Sequence, residues 1–243
     1  MIHLSQLSKT YNAGSGNQVH AVRGLDLMVP SGQVLGIVGG NGAGKSTLLR
    51  MIGTTIKPTS GTGLVGGFDL EKSPLEVRRL LGFLSSECGL YPRLTPRETL
   101  RYQCKLHGVG MDLCDDRIER ISAQLRFGEF LDVSCATLSL GTKQKVKIAR
   151  SAIHDPSLLV FDEATTGLDI TSAAALLEFV RSLKDAGKTI LFCTHSPTEL
   201  QIVCDEIAIL KDGLLADHRS IADFSSGDSL RSALLELIGR KAE

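Results

Sequence analysis

Residues 34–47, VLGIVGGNGAGKST, carry the clearest structural signal in the sequence. This stretch opens with a short apolar run between glycines, which predicts a buried strand, and leads into TLLRMIGTTI, which predicts an apolar helix. Between strand and helix the chain has the spacing G-x-x-x-x-G-K-[ST], with Gly39, Gly44, Lys45 and Ser46 at the fixed positions. A buried strand, a glycine-rich loop and a helix in this order indicate an α/β fold around a parallel sheet.

The loop has the chemistry of a phosphate cradle. Its glycines let backbone N–H groups converge on phosphate oxygens without a Cβ in the way. Lys45 supplies a point charge near the terminal phosphates, and the hydroxyls of Ser46 and Thr47 can bind Mg²⁺ and the α-phosphate. A plain strand-to-helix turn is the alternative, which the complete strand–loop–helix context disfavours. We expect a nucleoside triphosphate to bind the whole loop: Gly39, Gly40, Asn41, Gly42, Ala43, Gly44, Lys45, Ser46 and Thr47.

Polar residues also follow two other predicted strands. Asp162 ends the apolar run of SLLVFDEA, where it can reach the Mg²⁺ shell, and the adjacent Glu163 can orient or deprotonate a water molecule. Two acids at a strand end can also be a solvated edge or a helix start, but the phosphate loop favours a site. His195 ends TILFCTH. A lone histidine is more often structural, yet ligands gather at this edge of a parallel sheet.

A second helix start, in LSLGTKQKVKIAR (residues 138–150), also suits an anion. Ser139 is placed to cap a basic helix, and Gly141 follows it in the first turn. A core-packed basic helix would explain the apolar face of this segment but not these two residues. One helix terminus contributes only about 0.3–1 kcal/mol to anion binding. It is therefore too weak to be a separate site but can complete a site supplied by another subunit.

The remaining elements alternate along the chain. We expect an antiparallel β layer in residues 1–30, a hairpin after TSGTG, helices within 87–137, and later strands at SLLVFDEA and TILFCTH. EIAILKDGLLAD predicts a hairpin that turns at Asp212 and Gly213. SLRSALLELIGRKAE predicts an amphipathic final helix that either packs on the domain or contacts a second copy.

Composition excludes several classes of protein. The 243 residues are 42% hydrophobic and 22% charged, and 27 basic residues balance 27 acidic ones, which argues against a broad nucleic-acid surface. The apolar runs fall short of the ~20 residues that cross a bilayer. Residues 1–11 lack the pattern of a signal peptide. The six cysteines show no C-x-x-C spacing. We therefore expect a cytosolic protein with reduced, mostly structural cysteines.

In the order of these motifs, the chain resembles the ATP-binding cassette (ABC) ATPases over essentially its whole length. The resemblance implies a P-loop NTPase fold with a mixed central sheet, an N-terminal antiparallel β subdomain and a helical subdomain. It also implies one domain, 1–243, in which 1–86 and 146–225 form the core and β subdomain. Residues 87–145 would then be the helical subdomain and 226–243 the C-terminal helix.

The same resemblance implies roles for individual residues. Ser139 and Gly141 of one subunit would reach the γ-phosphate held by the loop of a second subunit, so that each ATP needs both chains of a two-fold dimer. Tyr11, in SKTYNAG, would stack on adenine. Asp162 would be the Mg²⁺-linked aspartate, and Glu163 the catalytic glutamate, which acts with the loop lysine Lys45. Asp169 would be the loop aspartate that signals across the dimer. His195 would be the histidine that senses the γ-phosphate.

Two segments depart from the family pattern. LSLGT has one glycine fewer than LSGGQ, because Leu140 takes that place. Ser86, in GFLSSECGLY, falls at or next to a position where the family usually has glutamine. A serine side chain is too short to reach the metal shell as glutamine does, so we expect weaker metal sensing and coupling from this loop.

GLYPRLTPRETLRYQCKLHGV and LSLGTKQKVKIARS resemble the ATPases of ABC-2-type exporters. The expected partners are ATP, a second copy of the chain and a separate polytopic membrane permease that docks on the helical subdomain. This would place the protein in the cytoplasm on the inner face of the membrane. A soluble ABC ATPase acting on ribosomes or DNA is the alternative, and neutral charge disfavours it. A GTPase would need an N-K-x-D motif, and a P-loop kinase would leave 138–150 unexplained.

Overall fold

Among the residues that the structure describes, the central sheet has six strands and the second sheet four. The computed structural model describes residues 1–13, 17–85, 89–224 and 227–239. The strands are β1 Ile2–Ala13, β2 Asn17–Val29, β3 Val34–Gly39, β4 Ser60–Val65, β5 Phe68–Asp69, β6 Leu81–Leu84, β7 Leu158–Asp162, β8 Thr189–Cys193, β9 Glu206–Lys211 and β10 Leu214–Ser220. The helices are α1 Lys45–Ile52, α2 Pro74–Leu80, α3 Pro96–Leu106, α4 Met111–Gln124, α5 Leu140–Ala152, α6 Ile170–Asp185, α7 Pro197–Val203 and α8 Gly227–Gly239.

The central sheet has the order β10-β9-β3-β8-β7-β6 and the second sheet the order β2-β1-β4-β5. Strands β9, β3, β8, β7 and β6 pair in parallel, whereas β10 joins β9 in an antiparallel hairpin. The second sheet is antiparallel throughout. These topologies confirm the predicted α/β fold with a mixed sheet and an N-terminal antiparallel layer.

Hydrophobic cores cover both faces of the central sheet. Every residue of β3, β7 and β8 is buried, as expected for parallel strands with both faces covered. Alternate residues of β3 divide between two cores. Val34 and Val38 belong to the core that includes α5 and α6, and Leu35 and Ile37 to the core that includes α1 and the second sheet. The carboxyl ends of the parallel strands are therefore held rigidly at one edge.

The segment between β6 and α5, called the helical insert, contains a covalent link that the sequence did not predict. Cys104 at the end of α3 and Cys114 at the start of α4 are buried and form a disulfide across Cα atoms 6.1 Å apart. The prediction of reduced cysteines is therefore wrong for this pair, because the α3–α4 hairpin brings together two residues whose sequence spacing gives no signal. Cys135, Cys193 and Cys204, within the described residues, are free and buried.

Two smaller elements complete the fold. Helix α2 and the edge strand β6, which pairs with β7, precede the helical insert. The β9–β10 hairpin turns at Asp212 and Gly213, whose φ angles of 49° and 80° match the predicted turn.

Helix α8 packs on α7 and β9 with Leu230 and Leu234 buried. In the part of the chain that the structure describes, no helix has the length and apolar character to span a membrane.

Candidate nucleotide-binding site

The loop between β3 and α1 has a backbone path that only glycine allows at two points. A Cβ on Gly39 would lie 2.4 Å from the carbonyl oxygen of Leu210. Gly44 has φ of 101°, and a Cβ there would lie 2.3 Å from the carbonyl oxygen of Ala21. Glycine is therefore required at both positions because β9 and β2 approach the loop too closely for a side chain. The absence of a side chain also leaves room for a ligand.

Lys45 lies inside the loop. Its side chain is buried, and Nζ donates to the carbonyl oxygens of Gly39 at 2.7 Å and Gly40 at 3.1 Å. The Ser46 hydroxyl, at the start of α1, donates to Oδ2 of Asp162 at 3.3 Å. The loop thus places an ammonium group and a hydroxyl–carboxylate pair side by side, which suits a polyphosphate with a divalent cation.

Asp162 is the last residue of β7 and is only 7% exposed. Burial raises the pKa of its carboxyl group, although the Cys193 thiol and the Ser46 hydroxyl act in the opposite direction. A buried carboxylate next to a hydroxyl is an oxygen-only donor set, which a hard cation such as Mg²⁺ prefers. The side chains present therefore fit that ion.

Glu163 follows in a left-handed conformation, with φ of 55°. Its backbone N–H donates to the carbonyl oxygen of Cys193 at 3.0 Å, which ties the ends of β7 and β8 together. Its Oε1 lies 3.0 Å from Nε2 of His195. Both side chains are about half exposed, at 40% and 49%. The unusual φ turns the carboxylate out of the sheet toward the site.

One cleft of about 410 Å³ joins most of these groups. It is lined by Tyr11, by the loop from Asn41 to Thr47 and by Glu163. Sequence reasoning missed three further lining residues: Val19, His20 and Ala21. Val19 lies directly opposite Tyr11 in the β1–β2 ladder, so the hairpin register was the signal that would have found them. Tyr11 is 38% exposed, and Lys9 Nζ lies 5.2 Å from the centroid of its ring.

Three predicted site residues lie elsewhere. The described residues that line the 410 Å³ cleft include neither Ser139 nor Gly141. Ser139 caps α5, because its hydroxyl accepts from the N–H of Thr142 at 3.1 Å. Asp169 caps α6 by accepting from the N–H of Ser172 at 2.9 Å. Hydrogen bonds from Thr171 and Ser172 hold the Asp169 pKa far below its usual range. Ser86 lies outside the described residues.

Comparisons of sequence point to one family. The model of the family described as ABC transporter matches residues 22–166. The ABC transporter ATP-binding protein NatA of Bacillus subtilis (strain 168) is 42% identical over 88% of this chain and 87% of its own. The daunorubicin/doxorubicin resistance ATP-binding protein DrrA of Streptomyces peucetius is 37% identical over 96% and 67%. The methionine import ATP-binding protein MetN of Chromohalobacter salexigens is 34% identical over 98% and 71%.

Solved structures agree with the sequence comparisons. An ATP-binding subunit of an ABC transporter superposes with a TM-score of 0.87 and 28% identity, over 96% of this chain and 99% of that one. A dimeric ATP-binding cassette in a post-hydrolysis state, bound to ADP and Pi, gives a TM-score of 0.84 with 25% identity over 91% and 99%. With Glu163 and most of its phosphate loop on one cleft, and with Asp162 hydrogen-bonded to Ser46 of that loop, the chain belongs to the ABC transporter family and is an ABC-type ATPase.

Proposed function

We propose that this chain is the ATPase subunit of an ABC-2-type exporter and that it hydrolyses ATP as a head-to-tail homodimer. The observation that carries the proposal is the division of the predicted site. Tyr11, Lys45 and Glu163 line one cleft, whereas Ser139 and Gly141 do not. A two-fold dimer would supply the second set from the partner copy, and each interface would then contain two equivalent sites.

The roles within one chain follow from the geometry of the cleft. The adenine ring stacks on the exposed face of Tyr11, and the phosphates lie along the loop from Asn41 to Thr47. Lys45, now bound to carbonyl oxygens of its own loop, turns its ammonium group toward the β- and γ-phosphates. Ser46 and Asp162 would hold Mg²⁺, which neutralises phosphate charge when it is bound.

Hydrolysis needs a water molecule in line with the γ-phosphorus. Glu163 lines the cleft and can accept a hydrogen bond from that water, while the contact with His195 fixes its carboxylate. The water oxygen bonds to the γ-phosphorus and passes a proton to the Glu163 carboxylate as the bond to the β–γ bridging oxygen breaks, which gives ADP and phosphate. Lys45 and His195 stabilise the negative charge on the γ-phosphoryl oxygens.

Two exposed apolar residues support the dimer. Leu140, next to Ser139, is 80% exposed, and Ile170, next to Asp169, is 90% exposed. Both adjoin residues to which the family resemblance gives roles across the interface. Burial of these large apolar side chains under a second subunit would lower the free energy of the dimer. Leu140 also replaces a glycine of the family signature without a clash inside one chain.

The assignment to export rather than import rests on two observations. Segments 89–109 and 138–151 resemble those of ABC-2-type exporters, and the chain is similar to DrrA, a resistance protein. A separate permease would dock on the helical insert, where exposed side chains include Tyr91, Tyr102 and Leu113. The protein would then work on the cytoplasmic face of the membrane. A stoichiometric polytopic membrane protein should co-purify with the tagged chain; ribosomes or DNA-repair proteins in its place would contradict this assignment.

The dimer itself is tested with Glu163→Gln. This substitution keeps the shape of the side chain but removes the carboxylate, so the ATP-bound state should persist. At saturating Mg·ATP, light scattering should give twice the 26.1 kDa mass of one chain. Wild type with ADP serves as the monomer control. A Glu163→Gln protein that binds ATP and stays monomeric would contradict a shared site.

A further inference from the structure

Glu199 occupies a position that sequence rules assign to a helix cap. Helix α7 starts after Ser196, and residues 196–199 match the S-x-x-E capping box, in which the glutamate accepts from the N–H of the cap residue. Ser196 makes the first hydrogen bond of the capping box, because its hydroxyl accepts from the N–H of Glu199 at 3.4 Å. The N–H of Ser196, however, donates to the hydroxyl of Thr194 at 3.1 Å. The Glu199 carboxylate is therefore free for another partner.

Helix α3 shows the complete form of the same motif. The N–H of Thr95 donates to Glu98 Oε2 at 2.9 Å, and the N–H of Glu98 donates to the Thr95 hydroxyl at 3.2 Å. Glu98 is exposed and serves its helix alone. The two boxes share a sequence pattern but differ in the use of the glutamate, so the difference at α7 comes from its neighbours.

Those neighbours belong to the two catalytic loops. Oε2 of Glu199 accepts hydrogen bonds from the hydroxyls of Thr194 at 2.5 Å and Thr165 at 3.2 Å. Thr194, buried at 4% exposure, directly precedes His195 in the loop after β8. Thr165 lies two residues after Glu163 in the loop after β7. Hydrogen bonds to a carboxylate are stronger than neutral ones, particularly where water is excluded.

We infer that Glu199 is a positioning residue for ATP hydrolysis. A single carboxylate oxygen joins the loop that carries Glu163 to the loop that carries His195, and so maintains the 3.0 Å contact between them. The described residues that line the 410 Å³ cleft do not include Glu199, so we expect it to act through Glu163 and His195. The inference rests on the roles proposed for Glu163 and His195.

The test compares four variants of the full-length chain in steady-state ATP hydrolysis. Glu199→Ala removes the acceptor, and we expect kcat to fall about tenfold or more while KM for ATP stays within about twofold. Glu199→Gln keeps an oxygen that can accept hydrogen bonds from both hydroxyls, so its kcat should stay within about threefold of wild type. Glu98→Ala, the matched control, removes a true capping glutamate and should lower Tm without lowering kcat. The fourth variant, Thr165→Val with Thr194→Val, removes both hydrogen-bond donors, so its kcat should fall as far as that of Glu199→Ala. If Glu199→Ala does not fold, this double variant is measured in its place.

Hydrogen exchange adds a readout that a local cap would not change. In Glu199→Ala, amides of both loops, 163–168 and 193–196, should exchange faster, whereas faster exchange confined to α7 would indicate a cap only. Unchanged kcat in Glu199→Ala, or equal losses in the Ala and Gln variants, would overturn the inference. Glu163→Gln and His195→Ala are measured in parallel: if they retain activity the proposed site fails, whereas if only Glu199→Ala retains it the positioning role fails.

Discussion

His195 Nε2 and Glu163 Oε1 lie 3.0 Å apart although the residues are 32 positions apart in the chain. The contact exists because β7 and β8 are adjacent parallel strands that both end at this edge of the sheet. An imidazole N–H that donates to the carboxylate fixes its direction without removing its ability to accept from water. The proposed base and the proposed charge-stabilising group therefore form one unit.

Replacing His195 should impair turnover more than binding. We expect His195→Ala to lower kcat about 10²-fold with little change in the Kd for ATP, since the histidine acts where charge develops. His195→Gln keeps a donor and should recover part of the loss. Stopped-flow measurement of phosphate release together with nucleotide binding separates the two effects. A weaker Kd with normal kcat would show that His195 serves binding alone.

Asp162→Asn should stabilise the nucleotide-free protein and inactivate it. Burial raises the pKa of this carboxyl group, so its ionised form costs free energy in the folded chain at neutral pH. Stability should therefore decline as pH rises through the interval above 3.8, and the amide removes that cost. A gain of about 1 kcal/mol would raise Tm by roughly 2–4 °C. A lowered Tm without magnesium would contradict this description of the site.

The chain should lose stability in mild acid partly through His154. Burial is the main cause that lowers its pKa from 6.5 to about 4, and the ring stacks on His107 with centroids 3.7 Å apart. Between these pH values the unfolded chain takes up a proton that the folded chain does not, so stability falls as pH falls. His154→Phe keeps the stack, and its Tm should decline less steeply from pH 7 to 4. His3→Gln, at an exposed position, is the control and should follow wild type.

Leu140 and Ile170 should matter only in the dimer. Because they are 80% and 90% exposed, Leu140→Asp and Ile170→Asp should leave the Tm of the ligand-free chain within about 1 °C. In the Glu163→Gln background each should weaken ATP-dependent dimerisation, since a charge would be buried at the interface. Sedimentation velocity over a concentration series measures the effect. Unchanged dimerisation in both variants would place the interface elsewhere.

Strong local chemistry made much of the fold predictable. The glycine spacing around Lys45 and the apolar runs before Glu163 and His195 predicted the α/β fold. In the structure Lys45 and Glu163 line one cleft, and His195 contacts Glu163. Contacts made only in three dimensions were not predictable. Cys104 and Cys114 meet because two helices form a hairpin, and Glu199 leaves its cap because Thr194 supplies a competing acceptor.

Mixing two inactive variants tests whether each ATP site is built from two chains. Lys45→Ala should disable the phosphate loop, and Ser139→Arg should disable the segment offered to the partner. In a mixed dimer, one site combines both defects and the other combines none. Equal mixing should therefore restore about a quarter of wild-type ATPase activity, since half of the dimers carry one intact site. If mixing restores no activity although mixed dimers form, the sites are not shared between chains.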